Sequence, residues 1–131
     1  MRHQRWLELA IEIAKKNDNI QHKHGAVLVC SGRVLSVGWN TERRGYYPSR
    51  HAEWHAVRDH LDDKATLYVA RVTKSGHIAN SSPCCRCMEQ LMHYTKVKEV
   101  WFTLEPGIAS SFDLCNARNE MRNGYKPAIR V

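Results

Sequence analysis

Apolar positions recur at helical spacing near the start of the chain. Trp6, Leu7, Ala10, Ile11 and Ala14 share one face, so a first helix is expected over about residues 3–17, ended by Asp18 and Asn19. The pattern then changes to short apolar runs. Residues 25–30 (GAVLVC) and 34–39 (VLSVGW) read as strands, with Ser31, Gly32 and Arg33 as a hairpin turn between them. The polar stretch 40–50 (NTERRGYYPSR) reads as a loop. A second helix is expected over about 52–61 and a third strand over 66–72 (TLYVARV). A loop over 73–83, a third helix over 85–94 and a fourth strand over 97–104 follow. The order α-β-β-α-β-α-β, with an antiparallel pair and then crossover helices, implies an α/β fold. The expected architecture is a three-layer α-β-α sandwich with a central mixed sheet. The tail is less patterned, with a helix expected over 112–121 and a short strand over 128–131.

A chain of 131 residues suits one domain, 1–131, around one modest core. Charges run through the apolar stripe of MRHQRWLELAIEIAKK, which does not read as a signal peptide. No apolar run approaches the length of a bilayer span. A cytoplasmic location is therefore expected, with no membrane partner. The formal charge of +7 favours anionic partners, nucleotides or nucleic acid, without choosing between them. Three of the five cysteines, Cys84, Cys85 and Cys87, crowd into four positions. An odd, clustered set argues against a disulfide framework and for metal binding in a reducing compartment. Cys30 and Cys115 read as buried small apolar residues.

Chemistry concentrates in two segments, His51-Ala52-Glu53 and Pro83-Cys84-Cys85-Arg86-Cys87. Each part alone is weak. A lone histidine is more often a surface or capping residue, and a lone Cys-x-x-Cys serves redox, structural metal or nothing special. Together they offer one imidazole and two thiolates, each placed at the start of an expected helix. Three such ligands leave the fourth position of a tetrahedral Zn2+ for water, and a carboxylate two residues from the histidine can move that water's protons. Cys85 adjoins Cys84 and does not share its helix face, so packing is its expected role. His55, four positions beyond His51, is not expected to be a ligand.

The signature His-x-Glu followed by Pro-Cys-x-x-Cys resembles that of the zinc-dependent cytidine deaminase superfamily, which includes cytidine, deoxycytidylate, guanine and tRNA adenosine deaminases. The resemblance extends over residues 25–40 and through VWFT at 100–103. It implies a cytidine deaminase-like fold, with His51, Cys84 and Cys87 as zinc ligands and Glu53 as proton shuttle. It also implies that Asn40 bonds the substrate sugar and that the backbone N–H of Ala52 meets the base edge. Hydrolytic deamination follows: water replaces the exocyclic amine and ammonia leaves. A homodimer is expected, as is common in the family.

The substrate is less constrained. A free cytosine nucleoside or nucleotide, of cytidine or dCMP type, fits a compact chain without an appended binding module. Tyr46 and Tyr47 would border the base, and Arg43, Arg44 and Arg50 would meet a phosphate; an ordinary solvent-facing loop is the plain alternative. Editing of adenine or cytosine within tRNA or single-stranded nucleic acid is a second reading, with Tyr46, Tyr47 and Trp54 as stacking groups. Trp54 reads more strongly as a core residue of its helix. Another aminated ring, such as guanine, is a third. A non-catalytic module stabilised by zinc is a fourth, and a glutamate beside an open coordination position argues against it.

Overall fold

The computed structural model describes residues 2–17, 22–41, 51–120 and 125–131. Along them run α1 (Arg2–Lys15), β1 (His22–Cys30), β2 (Arg33–Trp39), α2 (Ala52–Val57), β3 (Thr66–Thr73) and β4 (Ile78–Ala79). These are followed by α3 (Cys85–Tyr94), β5 (Glu99–Glu105), β6 (Ile108–Asp113), α4 (Leu114–Glu120) and β7 (Ile129–Arg130). One sheet runs in the order β2-β1-β3-β5-β6-β7, with β4 added to β3. β3 and β5 are parallel, joined by the crossover through α3, and the other pairs are antiparallel. The sheet is mixed, as the sequence order implied.

Strand alternation divides the core between two faces. Val27, Val29, Tyr68, Ala70 and Trp101 meet Trp6, Leu7 and Ala10 of α1 on one side. Ala26, Leu28, Leu67, Val69, Val100 and Phe102 meet α2, α3 and α4 on the other, through Ala56, Val57, Leu91 and Leu114 among others. Both faces of the central strands are thus dry, which is why they read as continuous apolar runs. Each fully buried Leu or Val contributes roughly 1.5–3 kcal/mol relative to exposure. The result is the three-layer sandwich expected.

Two local features bring the layers together. The β1–β2 hairpin closes on Ser31 and Gly32, with φ of 51° and 76°, the left-handed pair whose twist suits a two-residue hairpin. Gly38 lies under α2, where a Cβ would stand 2.6 Å from the amide nitrogen of Ala56. The hydroxyl of Ser36 bonds the carbonyl of Ala56 on the same face. Helix α2 therefore sits closer to β2 than any side chain would permit.

The structure departs from the sequence reading in several places. Helix α2 stops at Val57 rather than near residue 61; the chain tightens there, with His60 N–H donating to Val57 O at 2.8 Å. The expected loop over 73–83 contains β4, which pairs Ile78 with Val72 and Ala79 with Arg71. Residues 108–113 form β6, and Phe112, expected at a helix start, pairs with Val100 of β5. The signal for that strand was Pro106-Gly107: Gly107 has φ of 76° and turns the chain between β5 and β6. Cys115 is exposed and Cys30 only half-buried, so neither is the fully buried residue expected.

Candidate metal centre

The site is built at two helix starts. His51 is the N-cap of α2, with extended backbone (φ −73°, ψ 147°), and Ala52 and Glu53 form the first turn. Cys84 is the N-cap of α3 (φ −68°, ψ 165°), and its sulfur accepts the N–H of Cys87 at 3.4 Å. The cap places Cys84 and Cys87 on one side of the first turn. Cys85 is exposed and outside the cluster, as adjacency on a helix requires.

A buried serine delivers Cys84 to this position. Ser81 continues from β4 between the ends of β3 and β5. Its hydroxyl accepts the N–H of Thr103 at 2.8 Å and donates to Val69 O at 2.9 Å. Its own N–H donates to Thr103 O at 2.8 Å. The chain then passes through Ser82 and buried Pro83 into α3. Sequence reasoning missed Ser81, because a serine in a polar stretch carries no sign that it will be buried.

His51 Nδ1 lies 3.0 Å from Cys87 Sγ and 3.7 Å from Cys84 Sγ. The ligand atoms of all three residues lie within 4.8 Å of one another. A tetrahedral zinc with Zn–S of about 2.3 Å and Zn–N of about 2.0–2.1 Å separates its ligand atoms by roughly 3.5–3.8 Å; the His51–Cys84 distance falls in that range and the His51–Cys87 distance is shorter. Among the described residues no fourth His, Cys, Asp or Glu belongs to the cluster. The nitrogen-and-two-sulfur donor set is one that zinc favours. His55 instead directs Nδ1 to the backbone of Trp39 and sets its ring edge-on to that indole, 4.5 Å between centroids.

Glu53 is 5% exposed. Burial pushes its carboxyl up; its own backbone amide, His51 and the Cys87 thiol pull it back down. Burial also pushes the Cys87 thiol up, with Glu53 adding to the rise. A divalent ion held by these residues would reverse that tendency, since coordination deprotonates a thiol.

These residues share a cavity of about 230 Å³ lined by His24, Asn40, His51, Ala52, Glu53, Ser82 and Cys84. Asn40 Oδ1 accepts the N–H of His24 at 2.9 Å and the amide of Asn17 at 3.0 Å, which fixes its side chain at the end of β2. The structure thus brings together His51, Ala52, Glu53, Cys84, Cys87 and Asn40 of the residues expected from sequence. Arg43, Arg44, Tyr46, Tyr47 and Arg50 lie outside the described residues. Trp54 is half-buried and packs against the α2–α3 side of the core. His24 was not anticipated; its signal is alternation, which puts it on the face of Ala26 and Leu28.

Comparison with known proteins agrees with this geometry. Residues 1–104 match the family model of the cytidine and deoxycytidylate deaminase zinc-binding region. Cytidine deaminase from Burkholderia pseudomallei has the same fold, with a TM-score of 0.68 at 22% identity over 88% of this chain and 95% of that one. Guanine deaminase from Bacillus subtilis is 27% identical, with a TM-score of 0.58 over 80% of this chain and 66% of that one. RibD from Acinetobacter baumannii is 25% identical, with a TM-score of 0.53 over 76% of this chain. The chain spans about a quarter of RibD's length, 27%. No helix among the described residues is long and apolar enough to cross a membrane. With the His-Cys-Cys cluster, the cytidine deaminase-like fold and a family match over most of its length, this chain belongs to the cytidine and deoxycytidylate deaminase family of zinc-binding deaminases.

Proposed function

We propose that the chain, as one domain over 1–131, deaminates a free cytosine nucleoside or nucleotide of the cytidine or dCMP type. Water and the amine become the uracil form and ammonia. The observation that carries this reading is the meeting of buried Glu53, the His51–Cys84–Cys87 cluster and Asn40 on one cavity. His51, Cys84 and Cys87 hold zinc. Bound there, zinc supplies a nucleophilic water near neutral pH by lowering its pKa. Glu53 takes a proton from the water side and delivers it to the ring nitrogen, then passes a second proton to the leaving amine. One carboxylate serves both steps because it lines the cavity beside the cluster. Its low exposure keeps bulk water from competing for those protons. Asn40, locked by His24 and Asn17, holds the sugar, and the N–H of Ala52 meets the base edge. A preset side chain loses little entropy on binding.

Guanine is the competing substrate, favoured by the likeness to guanine deaminase. Adenine or cytosine within tRNA or single-stranded DNA is a further alternative, which the charge of +7 accommodates as readily as a free nucleotide. Mass spectrometry of cytidine, deoxycytidine, their monophosphates, guanine, adenosine, tRNA and single-stranded DNA separates these, with the Glu53→Gln variant as control. Conversion of a free cytosine compound is expected. Conversion of guanine alone, or only within a nucleic acid, would overturn the reading. The proposal extends to a cytoplasmic homodimer. Val37 and Trp39, exposed on edge strand β2, offer apolar surface for the partner copy, and light scattering of the purified protein checks the mass.

A further inference from the structure

Asn40 stands one residue past the end of β2, and β2 is the outer strand of the sheet, paired among the described residues with β1 alone. The open side of such a strand has no neighbouring strand to take its N–H and C=O groups. A side chain at its end needs support from outside the ladder. Two side chains supply it, one from each helical layer. From the α2 layer comes His55. Its Nδ1 lies 3.2 Å from both the backbone nitrogen and the carbonyl oxygen of Trp39. One imidazole nitrogen thus meets the pair of backbone groups that a further strand would otherwise take. The N–H of His55 donates to His51 O at 3.1 Å, so this contact and the first metal ligand share a helical turn.

From the α1 layer, on the opposite face of the sheet, comes Asn17. Gly25 lets the end of α1 approach, since a Cβ there would stand 2.5 Å from the backbone nitrogen of Ala14. Asn17 follows within one turn, its N–H donating to Ala14 O at 3.1 Å. Its Nδ2 donates to Asn40 O at 2.8 Å and to Asn40 Oδ1 at 3.0 Å. Backbone chemistry fixes the sense of both amides. The Asn40 carbonyl only accepts, so the atom of Asn17 that meets it is nitrogen. The His24 N–H only donates, so the atom of Asn40 that it meets at 2.9 Å is oxygen. Asn40 is therefore held in rotation as well as in place.

Neither Asn17 nor His55 is among the described residues that line the cavity, whereas Asn40 is. We propose that Asn17 and His55 are positioning residues of the deaminase site. They clamp the Trp39–Asn40 end of β2 from opposite faces of the sheet and so set the contact that Asn40 makes with substrate. The inference rests on the reading of this cavity as the deaminase site and of Asn40 as its sugar contact.

Two double-mutant cycles test this, with kcat/KM for deoxycytidine measured in the wild type, Asn17→Ala, His55→Ala, Asn40→Ala and the two doubles that contain Asn40→Ala. Asn17→Ala and His55→Ala should each lower kcat/KM by roughly three- to tenfold, mainly through KM, the scale of a lost hydrogen bond. In the Asn40→Ala background each should cost less than about twofold, because no side chain is left to position. Asn17→Asp should be worse than Asn17→Ala, since its carboxylate would face two acceptor oxygens; wild-type turnover by Asn17→Asp would overturn the proposal. If Asn17→Ala does not fold, Asn17→Ser, which keeps one donor, reads the same cycle. Losses that persist in full without the Asn40 side chain would overturn the inference and leave the sugar contact standing. Unchanged turnover in Asn40→Ala would remove the sugar contact and the inference with it. Calorimetric binding of deoxycytidine and guanosine, each beside its free base, reads the clamp without turnover. Asn17→Ala should weaken the nucleoside and leave the base unchanged, whichever ring is deaminated. Equal weakening of both, or a wild type that binds each nucleoside no better than its base, would overturn the proposal.

Discussion

A Cβ on Gly38 would stand 2.6 Å from the amide nitrogen of Ala56, a distance at which something must move. The bare backbone of β2 is the seat of α2, and α2 carries His51 and Glu53. Gly38→Ala should push the helix outward. Overpacking of this kind costs about 1–3 kcal/mol, which chemical denaturation will read. Zinc content should fall as well, because His51 moves with the helix while Cys84 and Cys87 stay on α3. Full zinc occupancy and unchanged stability in this variant would contradict that account.

Zinc retention should separate the neighbouring cysteines. His51→Ala, Cys84→Ala and Cys87→Ala should each deplete the metal, since each removes one of three clustered donors. Cys85→Ser should keep it, because Cys85 is exposed and apart from the cluster. Metal analysis of the four purified variants gives the answer. Retention in Cys84→Ala together with loss in Cys85→Ser would reverse the assignment.

Glu53→Gln should keep zinc and lose turnover. The amide preserves shape in a buried position but cannot accept the water's proton. Removing a positioned acid–base group costs about 10²–10⁴-fold in rate. Near-normal turnover by a folded, zinc-loaded variant would assign the proton transfers elsewhere.

Ser81→Ala should loosen the wedge between β3 and β5. The hydroxyl satisfies the N–H of Thr103 and bonds Val69 O in a buried setting. Leaving such groups without a partner costs about 1–3 kcal/mol. A lowered denaturation midpoint is expected, with weakened zinc retention because Ser81 leads directly to Cys84. Ser81→Thr, which keeps the hydroxyl, should lie nearer the wild type.

Alkaline stability should carry the mark of Tyr68. Burial pushes its phenol up to about 12 from an ordinary 10, with Glu99 adding to the rise. The folded state then keeps a proton that the unfolded chain sheds. This contribution is whole below pH 10 and is lost progressively as pH rises toward 12. Tyr68→Phe should flatten that part of the stability profile, at the cost of the 2.7 Å bond to His3 Nδ1. An unchanged slope between the two proteins would place the alkaline loss in other groups.

Local signals made α1, β1, β2, β3, α3 and β5 legible. Trp6, Leu7, Ala10 and Ala14 repeat at helical spacing, and the strands are apolar runs bounded by turns. The same was true of the chemistry. His51, Cys84 and Cys87 stand out as metal-ligating residue types in two short motifs, with Glu53 beside His51, and the structure brings the three donor atoms within 4.8 Å of one another. What the chain did not display were features that exist only through a distant partner. β6 contains Ser110 and Ser111, polar yet buried, and becomes a strand because β5 supplies its ladder and the carbonyl of Lys126 takes the hydroxyl of Ser110. Ser81 is buried for a comparable reason. The place of His24 in the cavity needed the register that sets it against Arg71 and ties it to Asn40. Spacing along the chain determines periodicity and marks the candidate ligand motifs, because both are local. Burial of a polar residue and membership of a cavity are set by which strand lies next to which, and only the assembled sheet decides that.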